Sequence, residues 1–254
     1  MAREAKKSGG VRWRLWFGLA ALASICAGAG VAALKVRRYA LTSDQFTFSA
    51  GLAGAPDIQG LANGSQAKVL RVFAMDSGQS IFAIPLAERR RRLLAIDWVA
   101  DASVSRVWPN RLLVRIRERT PVAFVPLRTG AVLIDADGVL LEPPLLGQFQ
   151  LPVLTGVRED EPEAARRERV AAFLRFQKDM GALAQDAFEV DVADPGNLLI
   201  FTRASGRLLT LRMGGGEFAR HYRNFLNHYP EIEKGSPEMG TFDLRWDGRI
   251  LAKK

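Results

Sequence analysis

The sequence has few residues of the types that carry out covalent and acid–base chemistry. Among 254 residues there is one cysteine, Cys26, and there are two histidines, His221 and His228. A single cysteine excludes an intrachain disulfide, so any folded part must be stabilised by its own core. The histidines lie seven positions apart, without the spacing of a zinc site, and the Gly-x-Ser-x-Gly nucleophile turn is absent. We therefore expect a protein that is not an enzyme, with no cofactor and no metal.

The positive charge of the sequence is concentrated at one end. The chain carries a net charge of +9, and the first 38 residues, with eight Lys and Arg against one Glu, account for +7 of it. A nucleic-acid-binding domain needs its cations spread over a folded surface that can follow phosphates. The distribution instead indicates a basic flank of a membrane segment, and nucleic acid is not an expected partner.

Residues 15 to 34 form one uncharged, apolar run. As a helix this run would be about 30 Å long, which matches the hydrocarbon core of a bilayer. Residues 1 to 14 hold five cations and are expected to stay in the cytoplasm, with residues 35 to 45 as a linker on the far side. A cleaved signal peptide is the alternative, because Ala27, Gly28 and Ala29 offer the small residues that a signal peptidase requires.

Residues 46 to 119 have the pattern of a small α+β domain in the order strand, helix, helix, strand, strand. The period of the apolar residues changes from helical to two at residue 102, where alternation with arginines predicts a hairpin. Residues 50 to 66, rich in Gly and Ala, are expected to be a loop. The predicted elements are a strand at 46–48, helices at 67–75 and 85–96, and strands at 102–108 and 112–118.

Residues 120 to 254 predict a second, mostly antiparallel β domain with flanking helices. Tight-turn signals such as Asp137-Gly138 separate short alternating runs. Asp135 and Asp137 are expected to serve the geometry of that turn. The predicted strands cover 121–126, 131–135, 139–142, 188–192, 198–202, 208–213 and 241–252, and the predicted helices cover 163–180 and 217–228.

An ordered series of short motifs runs through both regions. It includes Ser80-Ile81-Phe82, Trp98-Val99, Trp108-Pro109, Leu133-Ile134-Asp135 and Phe242-Asp243-Leu244-Arg245-Trp246. In this order the motifs resemble the FtsQ/DivIB family of bacterial cell-division proteins, whose first exterior module is a POTRA domain. The resemblance covers nearly the whole chain. Residues 50 to 66 depart from it, because the family has a short strand and a glycine turn at the start of the module.

The resemblance implies a single-pass protein of the cell inner membrane, located at the division septum, with its two exterior domains in the periplasm. It implies a non-catalytic scaffold of the divisome, whose last strands bind division proteins of the FtsB–FtsL type and whose POTRA domain contacts other division proteins. Carried over by position, the partner-binding residues are Arg245, Trp246, Asp247, Gly248, Arg249, Ile250 and Leu251.

Physical chemistry permits such an edge to bind a partner. A terminal strand has unpaired N–H and C=O groups along one side, so that a strand of another chain can be added, with Trp246 and Ile250 as apolar anchors. The alternative is an ordinary edge strand whose Trp246 packs inward.

A run of four cations, Arg89, Arg90, Arg91 and Arg92, lies on the second predicted helix of the POTRA domain. One interpretation is a solvated helix face. The other is contact with anionic lipid headgroups or with an acidic partner.

Two other functions are compatible with parts of the pattern. A membrane-anchored POTRA component of protein transport or outer-membrane assembly would require tandem POTRA repeats or a barrel, and the sequence predicts neither. An anchored envelope hydrolase would require a nucleophile and a base, and the sequence offers no plausible pair.

Overall fold

A computed structural model of the chain describes residues 10 to 49, 55 to 144, 147 to 246 and 248 to 253. The chain divides into two compact units. The first contains residues up to 59, 67 to 93 and 102 to 115, and the second contains residues 60 to 66, 94 to 101 and 116 onward. The predicted domain boundary between residues 119 and 120 stays a prediction.

The first unit begins with helix α1, Gly10–Thr42. Its segment Trp16–Thr42 has a mean hydropathy of 2.0 and none of its apolar window is buried, so it is long and apolar enough to cross a membrane. At 33 residues the whole helix is about 50 Å long. It therefore continues beyond the predicted span, through residues 35 to 42 of the predicted linker.

A three-stranded sheet and two helices complete the first α+β fold. The strands lie in the order β1-β3-β2, with β1 parallel to β3 and Ile58 opposite Val114. The elements are β1 (Asp57–Gln59), α2 (Gln66–Val72), α3 (Leu86–Leu94), β2 (Val99–Val107) and β3 (Arg111–Glu118). The predicted order of strand, helix, helix, strand, strand is confirmed.

The position of the first strand was predicted wrongly. Residues 50 to 66 are not all loop, because β1 lies among them, and Gly60 (φ +81°) follows it at a turn. This is the strand and glycine turn that the family pattern requires, so the predicted departure from that pattern is also wrong. Residues 46 to 48 form no strand of the sheet, since Thr47 makes a single bridge to Ser80. Three residues, Asp-Ile-Gln, are too few to show a period of two.

The core of the first unit contains buried apolar side chains from α2, α3 and β3 and from the segments that connect the elements. α3 begins directly after Pro85, where a missing N–H costs no hydrogen bond. The residues buried in this core include Phe48, Val69, Phe73, Ile81, Ile84, Leu93, Leu112 and Val114.

The second unit is a nine-stranded sheet with two long helices. Five of its eight strand pairings are antiparallel and three are parallel, β4 with β7, β7 with β8 and β10 with β11. The mostly antiparallel prediction is confirmed. The order is β12-β11-β10-β9-β8-β7-β4-β5-β6. The strands are β4 (Pro121–Leu127), β5 (Gly130–Asp135), β6 (Leu140–Leu141), β7 (Val153–Thr155), β8 (Ala187–Asp191), β9 (Leu198–Ala204), β10 (Arg207–Met213), β11 (Thr241–Asp243) and β12 (Leu251–Lys253).

Helices α4 (Glu163–Met180) and α5 (Phe218–Gly235) pack on this sheet and on each other. The rings of Phe176 and Phe218 lie 5.5 Å apart where the helices meet. α5 continues past its predicted end at His228 and through Pro230. Buried Tyr229 and partly buried Ile232 join the core on either side of Pro230, so packing outweighs the break that proline predicts.

The last predicted strand, residues 241 to 252, is two strands. β11 and β12 run antiparallel, with Thr241 opposite Lys253 and Asp243 opposite Leu251. The residues between them turn the chain back on itself. The sequence does contain a tight-turn signal in this segment, Asp247-Gly248, of the same kind as Asp137-Gly138, but the prediction treated residues 241 to 252 as one continuous strand.

Candidate partner-binding edge

β12 lies at one end of the nine-stranded sheet. Among the described residues it pairs with β11 and with no other strand, and all three of its residues are exposed. One side of its backbone therefore has N–H and C=O groups that a strand from another chain can use. Of the seven residues predicted to form the partner-binding edge, Leu251 lies in β12, whereas Arg245, Trp246, Gly248, Arg249 and Ile250 lie in the turn before it.

Two large apolar side chains are exposed beside this edge. Trp246 is 58% exposed and Leu251 is 54% exposed, whereas Ile250 is partly buried against the core of the second unit. The interpretation in which Trp246 packs inward is therefore wrong. Of the two predicted anchors, Trp246 is exposed and Ile250 packs against the core. We define the edge surface as Trp246, Leu251 and the backbone of β12.

Arg245 is held by its neighbours and does not offer a free cation. Its guanidinium donates from Nε to Asp243 Oδ1 at 2.9 Å and from Nη2 to Asp243 Oδ2 at 2.7 Å, and from Nη1 to Asn197 Oδ1 at 3.1 Å. These bonds to Arg245 hold the pKa of the Asp243 carboxyl below its ordinary value. The role of Arg245 in this geometry is to position the start of the turn.

The rest of the turn is compact. Gly248 adopts a left-handed backbone conformation (φ +67°), which only glycine takes without strain, and the Arg249 N–H donates to the Trp246 carbonyl at 3.3 Å. Asp247, which the sequence assigns to the same edge, lies outside the described residues. The backbone hydrogen bond and the glycine together stabilise the turn that carries Trp246.

Sequence reasoning missed the residues that support the edge surface. Leu244 is buried, and its N–H donates to the Arg212 carbonyl at 2.9 Å, which extends the pairing of the chain with β10. Asp243 and Asn197 hold Arg245. The Asp-x-Arg spacing was a visible signal for the first of these contacts, but nothing in the sequence places Asn197, 48 residues away, beside Arg245.

The four-arginine run is not one surface. Arg89 is buried and forms two hydrogen bonds of 2.6 Å with the carboxylate of Asp76, so it is not available to lipid or partner, contrary to the prediction. Arg90 is exposed but donates to the Ala102 carbonyl at 2.7 Å, and Arg92 pairs with Glu88 one helical turn away. Arg91 is exposed. Of the four arginines predicted as a possible contact surface, Arg90, Arg91 and Arg92 are exposed.

Of the two carboxylates at the β5–β6 turn, Asp135 acts as the sequence predicts. Asp135 Oδ1 accepts the N–H groups of Asp137 and Val139, and Asp135 Oδ2 accepts from Arg119 at 2.6 Å. Within the described residues, no group of three or more His, Cys, Asp or Glu side chains is arranged to hold a metal ion. Asp135 therefore shapes the turn, and the Asp137 carboxylate accepts from Arg119 at 3.2 Å.

Two family profiles match successive parts of the chain. "POTRA domain, FtsQ-type" matches residues 57 to 119, and "Cell division protein FtsQ/DivIB, C-terminal" matches residues 123 to 245. The first match begins at β1, in agreement with the observed fold. Together the two profiles cover well over half of the sequence. The chain belongs to the FtsQ/DivIB family of cell division proteins.

Individual FtsQ proteins match with modest identity. The cell division protein FtsQ of Koribacter versatilis is 30% identical over 77% of this chain, and the match spans 58% of that protein's length. FtsQ of Rhodothermus marinus is 28% identical over 99% of this chain and 91% of its own. FtsQ of Myxococcus fulvus is 29% identical over 72% of this chain and 64% of its own.

Among solved structures, the major extracytoplasmic domain of DivIB from Geobacillus stearothermophilus aligns with 47% of this chain and 95% of its own. The sequence identity is 18% and the TM-score is 0.28, a value too low to establish a shared fold. The assignment to the FtsQ/DivIB family therefore rests on the two sequence profiles.

Proposed function

We propose that this protein is a membrane-anchored scaffold of the bacterial division machinery that acts by binding and not by catalysis. In this proposal α1 crosses the inner membrane once, residues 1 to 14 stay in the cytoplasm, and the two folded units lie in the periplasm at the division septum. Its partners are other division proteins, among them proteins of the FtsB–FtsL type that bind the edge surface.

The proposed topology is supported by the charges at the two ends of the apolar segment. Five cations precede it within a tail of 14 residues, whereas three follow it in Lys35, Arg37 and Arg38. Short segments with more Lys and Arg are retained in the cytoplasm. The exposed sides of α1 are apolar throughout the span, which is stable in lipid and not in water.

The observation that carries the proposed binding role is the exposed Trp246 beside the open strand β12. A tryptophan ring is the side chain most enriched among residues that dominate binding energy, and its burial by a partner would remove a large apolar surface from water. A strand added to β12 would supply backbone hydrogen bonds, and Trp246 and Leu251 would select apolar side chains on that strand.

An affinity capture of the tagged, detergent-solubilised full chain tests this role. Trp246→Glu places a charge in the centre of the edge surface, and we expect it to abolish capture of at least one division protein. Leu208→Glu is the matched control, because Leu208 is 64% exposed on β10, and we expect it to capture the unchanged set. An unchanged set with Trp246→Glu would reject the edge surface as the docking site.

Depletion of the protein tests the cellular role separately. We expect long, undivided cells with a normal outer membrane. Defective assembly of outer-membrane proteins before any division defect would favour the POTRA transport function instead.

A further inference from the structure

Four aromatic rings form a continuous cluster at the end of α1. The ring centroid of Phe46 lies 6.0 Å from that of Tyr39 on the helix, 5.2 Å from Phe82 and 5.4 Å from Trp108, and Phe82 and Trp108 are 5.8 Å apart. Phe46 is buried at the centre of the cluster. Trp108, in the turn between β2 and β3, is 68% exposed, and Tyr39 is 58% exposed. We define these four residues as the aromatic cluster.

Hydrogen bonds connect the cluster to both the helix and the sheet of the first unit. Ser80 Oγ donates to the Ala40 carbonyl at 2.7 Å, and the Ile81 N–H donates to the Phe46 carbonyl at 2.9 Å. At the other end of the cluster, Arg106 donates to the carbonyls of Ile81 and Ile84 at 2.6 and 3.0 Å. The Trp108 turn is therefore held in position relative to the end of α1.

The helix geometry places the aromatic cluster at a defined level. Tyr39 follows Leu34, the last residue of the uncharged run, by five positions, which corresponds to about 7.5 Å of helix. The polar interface of a bilayer occupies about 5 to 8 Å on each side of the hydrocarbon core. With α1 in the membrane, Tyr39 lies at headgroup level. Trp108 is connected to Tyr39 through the ring of Phe46, which contacts both.

The side chains around the aromatic cluster have the composition of a membrane interface. Lys35, Arg37, Arg38 and Arg111 are exposed near it, and Asp44 is the exposed acid on the connecting turn. Trp and Tyr rings prefer the interface because one part of the ring system is apolar and the other carries a hydrogen-bond donor. Cations nearby favour anionic headgroups.

We propose that Trp108 is a second membrane contact, which inserts into the lipid headgroup region and holds the first unit against the bilayer surface. The occupant of this surface is lipid, as an extension of the anchor α1. The contact rests on the membrane anchoring in the proposed function, because a helix released from the bilayer would leave the aromatic cluster in water.

The depth of two spin labels tests the proposal in the full chain, reconstituted into vesicles that contain anionic lipid. One label is attached to native Cys26 in the span, and the other to Asn110→Cys in a Cys26→Ser background, since Asn110 is exposed in the same turn as Trp108. Accessibility to dissolved oxygen and to a water-soluble nickel chelate gives the depth of each label. We expect the label at residue 110 to be severalfold less accessible to the chelate than a fully aqueous site.

Substitutions of Trp108 then test whether its ring causes the low chelate accessibility of the label at residue 110. Trp108→Glu is expected to raise the chelate accessibility of the label at residue 110 to the aqueous level, and Trp108→Phe to raise it partly. Met75→Glu is the matched control, because Met75 is 77% exposed in the first unit outside the cluster, and it should leave the label unchanged. Far-UV circular dichroism of each variant verifies folding.

The two labels distinguish the possible failures. A deep label at Cys26 with an aqueous label at residue 110 would overturn the Trp108 contact and leave the anchor intact. A label at Cys26 outside the bilayer would overturn both the contact and the proposed anchoring.

Discussion

Two arginine–aspartate pairs have the same chemistry at different depths. Arg89 and Asp76 in the first unit are buried, with side chains 8% and 0% exposed, whereas Arg245 and Asp243 in the second unit are 32% and 21% exposed. Both pairs are bidentate. The buried pair therefore stabilises the fold, whereas the half-exposed pair shapes a surface, although both arginines appear in the sequence as candidate contact residues.

Removing one member of the buried Arg89–Asp76 pair should lower the free energy of unfolding more than any other substitution considered below. Asp76→Ala leaves the Arg89 guanidinium buried without its carboxylate, and we expect a loss of about 3 to 5 kcal/mol in the free energy of unfolding. Urea unfolding of the solubilised full chain, followed by circular dichroism, measures it. The double variant Asp76→Leu/Arg89→Met, which removes both charges, should lose much less. An equal loss in both would mean that the ion pair does not explain the effect.

An intermediate effect is expected at Glu118, a partly buried carboxylate of the second unit. It accepts the N–H groups of Ala62, Asn63 and Gly64 at 2.7 to 3.0 Å. Burial raises the pKa of Glu118, but these bonds lower it more, so that the net pKa is below its ordinary value. Glu118→Gln should cost about 2 kcal/mol at neutral pH. If Glu118→Gln lowered the free energy of unfolding as much as Asp76→Ala, the cost of removing a carboxylate would not follow its burial.

The half-exposed Arg245–Asp243 pair should contribute little to the free energy of unfolding, and this contribution should depend on pH. Asp243→Asn is expected to cost about 1 kcal/mol or less near neutral pH. Because the pKa of Asp243 is lower in the folded state, its contribution is complete above the unfolded value of about 4 and is lost as the pH falls further. Unfolding measured between pH 3 and 7 should show the variant and the parent converging at acid pH. A constant difference would contradict the assignment.

The smallest effect on stability is expected at Trp246 itself. Because this ring is exposed and the Arg245–Asp243 pair holds the turn, Trp246→Glu should change the free energy of unfolding by less than about 0.5 kcal/mol. The same urea experiment measures it. A large loss would show that the ring packs within the fold and would weaken its role as an anchor.

Much of the fold followed from the sequence because long periodic segments carry strong signals. The helix Glu163–Met180 and the hairpin of β2 and β3 have many apolar residues at one period. Strands of three residues, such as β1 and β7, give no such signal and depend on pairing with strands far along the chain. The apolar run of residues 15 to 34 was equally clear, although α1 extends beyond it.

The edge surface followed only in part. Its place near the carboxyl end was predicted from the family resemblance. The exposure of Trp246 could not be predicted, because the alternation of apolar and polar residues assigns side chains to a face only within a continuous strand, and the chain turns at this residue. The burial of Arg89 was hidden for a related reason. A run of four cations predicts a solvated face, and the carboxylate that draws one of them inward, Asp76, lies in another element, 13 residues away.

Photo-crosslinking in dividing cells tests whether a division protein docks on β12. A photoreactive benzoylphenylalanine at Leu251, on the edge strand, is compared with the same residue at Leu208, which is also exposed but lies on β10 inside the sheet. We predict an adduct with another division protein from position 251 and none from position 208. Adducts that are identical at both positions, or absent at 251, would contradict a partner docked on β12.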